Sequence, residues 1–161
     1  MRQTGFTLLE LIVTIAVAAI ILALGVPSFL SSIHHQQVVS VTENFEQDVA
    51  WVRGQAISGA STATLTLQTN CSWVASTGSA ADAQHSMSVA QLATDSPGIT
   101  CQSVPSGGLT LNFNNLGLVT PTSTNTTMPA NTITFAPSPG APISIEVFGS
   151  GAIVEDPQNV S

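Results

Sequence analysis

Side chains able to act as acids, bases, nucleophiles or metal ligands are sparse in this sequence, and their spacing builds no reaction centre. His34 and His35 are neighbours, so on a helix they point to different faces, and they read as polar residues closing an apolar span. His85 is expected in a Ser-rich loop with no acid or nucleophile at a recognisable spacing. Serines are abundant, yet there is no Gly-x-Ser-x-Gly elbow and no Ser-x-x-Lys pair. A phosphate loop, a dinucleotide fingerprint and a calcium-binding loop are missing as well. Asp95, Glu155 and Asp156 are isolated acids of the kind that sit in solvent, although a calcium site would use such groups. Trp51 and Trp73 are expected in a core or covering a sheet. The chain is therefore expected to be no enzyme, with no catalytic residue, no cofactor and no metal.

One ionisable group does stand in an unusual place. From Leu11 to Ile33 no side chain is charged, and at ~1.5 Å per helical residue that run is long enough to cross ~30 Å of hydrocarbon. Glu10 sits just inside this apolar stretch, where a carboxylate costs about 2.5 to 3.5 kcal/mol on insertion scales and so requires a partner or a purpose. A secretory signal peptide would use Ala23-Leu24-Gly25 as a small-x-small cleavage triplet. It fits poorly: Arg2 is the whole charged leader, the apolar block is long, and Glu10 falls where such a block is wholly apolar. A plain membrane anchor explains the length but not the acid.

The residues Gly5-Phe6-Thr7-Leu8-Leu9-Glu10-Leu11 offer a third reading. They closely resemble the prepilin cleavage motif of type IV pilins and type II secretion pseudopilins. The resemblance implies that a prepilin peptidase cuts between Gly5 and Phe6, that the new amine of Phe6 is N-methylated, and that Glu10 becomes fifth in the mature chain. It also implies that Glu10 pairs with the terminal amine of a neighbouring subunit. Physically, a carboxylate in a low-dielectric helix bundle is tolerable when paired and expensive when alone. Glu10 would then set the register between subunits.

Composition bounds the remainder. A chain of 161 residues holds one anchor and one small domain. Charged residues make up only 7 %, there is no Lys, and the two Arg are Arg2 and Arg53. Loss of Arg2 with the leader leaves one basic residue against nine acidic ones, a net charge of -8, so nucleic acid is an unexpected partner. Arg2 at the extreme N-terminus favours a single pass with that end in the cytoplasm and the bulk of the chain in the periplasm. In an oxidising compartment Cys71 and Cys101 are expected to form a disulfide closing a loop of ~30 residues, worth roughly 3.5 kcal/mol in the chain-entropy model. Two buried thiols are the alternative. Zinc is disfavoured because neither Cys has a close Cys or His companion.

Stepping along the chain, Pro27 removes a backbone hydrogen bond and predicts a bend or a melted turn near Ala23 to Pro27. From Ser28 to Ser58, apolar residues at Phe29, Ile33, Val41, Phe45, Val49, Val52 and Ala56 predict an amphipathic helix. Glu43, Glu46, Asp48 and Arg53 fall mostly between them and read as a solvated face. Beyond Gly59, strands are predicted at Thr62–Gln68, Ser86–Leu92, Ile99–Val104, Leu109–Phe113, Thr132–Ala136, Ile143–Phe148 and Ala152–Glu155. Loops are predicted at Ser76–Gln84, Pro105–Gly108, Pro121–Pro129 and Pro137–Pro142. The expected class is α+β: a long N-terminal helix against an antiparallel sheet. Its segments are a leader at 1–5, an apolar membrane or filament-core helix at 6–33, an amphipathic half at 34–58 and a β-rich periplasmic domain at 59–161.

Within the pilin superfamily a subgroup is indicated. Arg53-Gly54-Gln55-Ala56-Ile57, followed by a Thr-rich strand and Trp73, resembles the GspH/FimT family of minor pilins and pseudopilins. Phe113-Asn114-Asn115-Leu116-Gly117 resembles that family's Phe-x-x-x-Gly strand ending, and Ile143 to Val154 its closing hairpin. DNA-binding members carry Gly-Arg-x-Arg where this chain reads Gly151-Ala152-Ile153-Val154, so their DNA role does not transfer. The resemblance implies a minor pilin that assembles with other pilins through its first helix, served by the prepilin peptidase and an inner-membrane assembly platform. An H-type minor pseudopilin of type II secretion is the alternative, and a surface protein binding DNA, sugar or a receptor is the rival class.

Overall fold

A computed structural model of the chain describes residues 7–59, 63–104, 107–120, 131–138 and 140–155, with backbone alone at 24–28, 104 and 120. Gly5, Phe6, Thr62, Asp156 and the predicted loop Pro121–Pro129 lie outside the described residues. The chain divides into two units, residues 1–33 and 34–161. Helix α1, Leu8–Ile57, belongs to both. In the first unit Thr7 caps it: the Thr7 hydroxyl accepts a hydrogen bond from the Glu10 backbone N–H at 3.3 Å. The Thr-x-x-Glu spacing is the sequence signature of such a cap. Backbone helicity continues through Pro27, with no melted turn.

The second unit packs the remaining turns of α1 on two antiparallel sheets. The first has the order β3-β2-β1-β5-β6 and the second β4-β7-β8-β9. The first sheet is built from β1 (Ala63–Leu67), β2 (Trp73–Thr77), β3 (Ala80–Met87), β5 (Leu109–Phe113) and β6 (Val119–Thr120). The second sheet is built from β4 (Thr100–Val104), β7 (Asn131–Ala136), β8 (Ile143–Val147) and β9 (Ile153–Glu155). The class is α+β as expected, but two sheets replace the one. Strand alternation marks which face is buried; it does not say which strand is the neighbour, and here that choice splits the strands into two groups.

Alternation decides the inward face. Ala63, Leu65 and Leu67 of β1, Leu109, Leu111 and Phe113 of β5, and Ile133 and Phe135 of β7 are all buried. From α1, Val38, Val41, Phe45, Val49, Val52 and Ala56 fill the space against them. Phe29, assigned to the buried stripe by periodicity, is 68 % exposed, and Val38 opens the stripe instead. Phe45 meets both sheets, edge-on to Trp73 at 5.3 Å between ring centroids and to Phe135 at 5.8 Å. Such pairs add about 0.5 to 1.5 kcal/mol beyond their area.

Three local predictions are corrected. Ser76–Gln84 is not a loop: β2 and β3 form a hairpin through Gly78-Ser79, and Gly78 takes the positive φ of 65° that this turn demands. Small residues on an exposed edge strand carry little apolar alternation, which hid it. The predicted strand Ser86–Leu92 breaks at Ser88, where a second helix, α2 (Val89–Asp95), begins. Ser88 accepts from the Gln91 N–H, and the Gln91 side chain accepts from the Ser88 N–H, so two orphan donors are satisfied and helix wins over strand. The solvated face also fails at Asp48 and Arg53, both half-buried and bonded to the sheets.

Cys71 and Cys101 are disulfide-bonded, tying the turn after β1 in the first sheet to β4 in the second. Replacing both by alanine is expected to lower stability by about 2 to 4 kcal/mol, read as the urea midpoint; an unchanged midpoint would show that the bridge contributes nothing. Glu46 is held above the ordinary carboxylate range, first by burial and then by repulsion from Glu155 on β9 and from Glu43. An acid raised by folding binds its proton more tightly in the folded chain, so stability falls as pH rises from the ordinary glutamate range through the raised value. Glu46→Gln should therefore raise the melting temperature at neutral pH, and the gain should disappear below the ordinary glutamate range. A gain that grows on acidification would contradict the assignment.

Candidate functional site

The first unit presents an apolar surface on every side of its helix. Leu8, Leu9, Ile12, Ile15, Ile20 and Leu22 are each more than half exposed. A helix apolar all round is a membrane or bundle-core element rather than a surface helix of a small domain. Glu10 is exposed in its first turn, where the partial positive charge of the helix N-terminus favours an anion. Among the described residues no helix is long and apolar enough to cross a membrane. The apolar run of the sequence, Leu11 to Ile33, includes the five residues at 24–28 whose side chains are outside the description.

In the second unit, the residues that carried the subgroup resemblance converge. Arg53 Nε donates to the Gly117 carbonyl at 3.2 Å, anchoring the turn that follows β5 onto α1. Gly117 and Gly151 both have positive φ, 72° and 74°. A side-chain carbon on Gly117 would meet Ile57 at 2.8 Å and one on Gly151 would meet Arg53 at 2.9 Å, so only glycine lets both turns approach. The turn after β8 is joined to the same region by the Val119 N–H donating to the Gly149 carbonyl at 2.9 Å. Arg53, Gly117 and Gly151 are thus one junction, scattered over a hundred residues of sequence. Its role is structural.

A polar cluster lies at another part of this unit. Asp48 accepts from Trp73 Nε1 at 2.7 Å on one carboxylate oxygen, and its other oxygen is 3.0 Å from His85 Nδ1. An ionised carboxylate can only accept, so His85 carries its proton on Nδ1 when donating. Trp51 stacks on the His85 ring with centroids 4.1 Å apart. His85 is in β3, not in a loop, and its acid partner comes from 37 residues away, a separation no local motif reveals. Beside the cluster opens a hollow of ≈ 260 Å³ between α1, the end of β3 and α2. Asp95 reaches its rim, whereas Glu155 faces Glu46, so the isolated acids do not share one site. Among the described residues no group of three or more His, Cys, Asp or Glu is placed to hold a metal ion. His34 is half-buried and His35 exposed, and neither adjoins the cluster around Asp48.

Two protein families match the chain. Residues 1–26 match the prokaryotic N-terminal methylation motif, and residues 41–151 match the type II transport protein GspH. No curated protein and no solved structure is a significant match. The second match spans more than half the sequence and covers Arg53, Gly117 and Gly151 together, while the first covers Gly5, Phe6 and Glu10. The chain belongs to the GspH family, within the superfamily of pilins and pseudopilins that serve type IV pili and type II secretion.

Proposed function

We propose that this protein is a minor type IV pilin, a structural subunit that enters a pilus or its priming tip through α1. In this reading a prepilin peptidase removes residues 1–5, Phe6 is N-methylated, and the 6–33 helix holds the subunit in the inner membrane in a single pass. The 34–58 half of the helix and the domain at 59–161 stand in the periplasm until an inner-membrane platform moves the subunit into a filament. A bend at Pro27 adapts the helix to its neighbours. The observation that carries the reading is Glu10, an exposed carboxylate in the first turn of α1, whose first turns carry no other charge and expose apolar side chains all round. The amine created at Phe6 of an adjacent subunit is the natural partner for it.

The match to a type II transport protein favours a second reading, an H-type minor pseudopilin in which the same helix enters a secretion pseudopilus. A DNA-binding role has less support, because Gly151 is followed by Ala152-Ile153-Val154 in place of two arginines.

Gly5→Leu should leave an uncut precursor in the inner membrane, seen as a larger band and as an N-terminus lacking methylated Phe6 by mass spectrometry; normal maturation would show that the cut lies elsewhere. Glu10→Leu should mature normally but enter filaments at a small fraction of the wild-type level. Incorporation at the wild-type level would remove the carboxylate from the assembly mechanism.

A further inference from the structure

The hollow beside Asp48 has a lining unlike a structural gap. Asn44 and Gln47 project from successive turns of α1, Gln84 and Met87 come from β3, and His85 forms part of the wall. Asn44, Gln47 and Gln84 are exposed, and their side chains have no hydrogen-bond partner among the described residues, so three amides whose donors and acceptors the protein does not use line one open hollow. At ≈ 260 Å³ the hollow is somewhat smaller than the ~300 Å³ at which pockets for drug-sized molecules begin, a size for one ring with polar substituents.

Chemistry narrows the occupant. No Arg or Lys lines the space, so phosphate, sulfate and carboxylate groups find no counter-charge. A cation is poorly matched too: both oxygens of Asp48 are already engaged by Trp73 and His85, which leaves it the Asp95 carboxylate at the rim, and an ammonium or guanidinium offers only donors to the amides deeper along the wall that also need acceptors. Hydroxyl groups both donate and accept, and so suit all three amides. The His85 ring, backed by Trp51, and the Met87 side chain add an apolar wall for a face of C–H groups. We propose that this hollow binds a single neutral sugar ring, presented free or at the end of an uncharged glycan.

The test uses the full chain in a detergent without a sugar headgroup, titrated with the methyl α-glycosides of glucose, mannose, galactose and N-acetylglucosamine. Tryptophan fluorescence reports the site through Trp51. At least one glycoside should bind saturably with a Kd on the order of 1 mM. That affinity should be the same at about 50 mM and about 500 mM NaCl, because no charge is paired. The double variant Asn44→Ala, Gln47→Ala keeps the helix, since alanine is the best helix former, and should lose at least about tenfold in affinity at an unchanged melting temperature. The proposal is overturned if no glycoside saturates, if the double variant binds as well as the parent, or if arginine amide binds instead with an affinity that falls as salt rises.

Discussion

An ionised carboxylate on a stretch of helix that is otherwise uncharged and apolar on every side is a group without a comfortable solvent. In water the surrounding leucines and isoleucines are misplaced; in hydrocarbon the carboxylate is. Among the described residues the Glu10 carboxylate has partial relief from the N-terminal end of α1, while the Thr7 hydroxyl takes up the Glu10 backbone N–H and not the carboxylate. The first half of α1 therefore calls for apolar surroundings supplied from outside the subunit, with a cationic group at one level of them. Assembly into a filament of like helices meets both requirements, and for that reason the proposed function rests on this residue more than on any feature of the folded domain.

The second half of α1 faces the opposite task, because it must organise a domain from a sequence poor in large side chains. Six Phe and two Trp are the whole aromatic supply. The fold brings three of them together: Phe45 touches Trp73 in one sheet and Phe135 in the other, so a single helical residue links three layers. The disulfide joins the sheets at one place and the Arg53 junction ties the later turns to the helix at another. Small residues then suffice elsewhere, and the outer faces are left to Thr, Ser and Asn.

Polar groups inside the domain are used sparingly and in pairs. Asp48 satisfies the indole of Trp73, which would otherwise bury an N–H without a partner, and turns its second oxygen to His85. The bond to His85 draws the edge hairpin of β2 and β3 towards α1. Met87 and the capped helix α2 follow directly in sequence, so the way that hairpin is held sets the width of the hollow, and its polar lining comes from the solvent side of α1, from β3 and from α2.

Much of this protein was legible in its sequence wherever the signal is local. The apolar run, the isolated Glu10, the N-terminal motif, the amphipathic turns from Val41 to Ala56 and the strands β1, β4, β5, β7, β8 and β9 are written in composition and period, because burial on one face imposes a repeat. The Thr-x-x-Glu cap at Thr7 and the Ser-x-x-Gln box at Ser88 are equally local signals, and the second outweighs the strand-like alternation around Ser88. Tertiary structure alone decided the rest. Two sheets in place of one, the meeting of Asp48 with His85, and the convergence of Arg53, Gly117 and Gly151 depend on contacts between residues about 35 to 100 positions apart. Periodicity tells a side chain which way to face; only the closed fold tells it what it will find there.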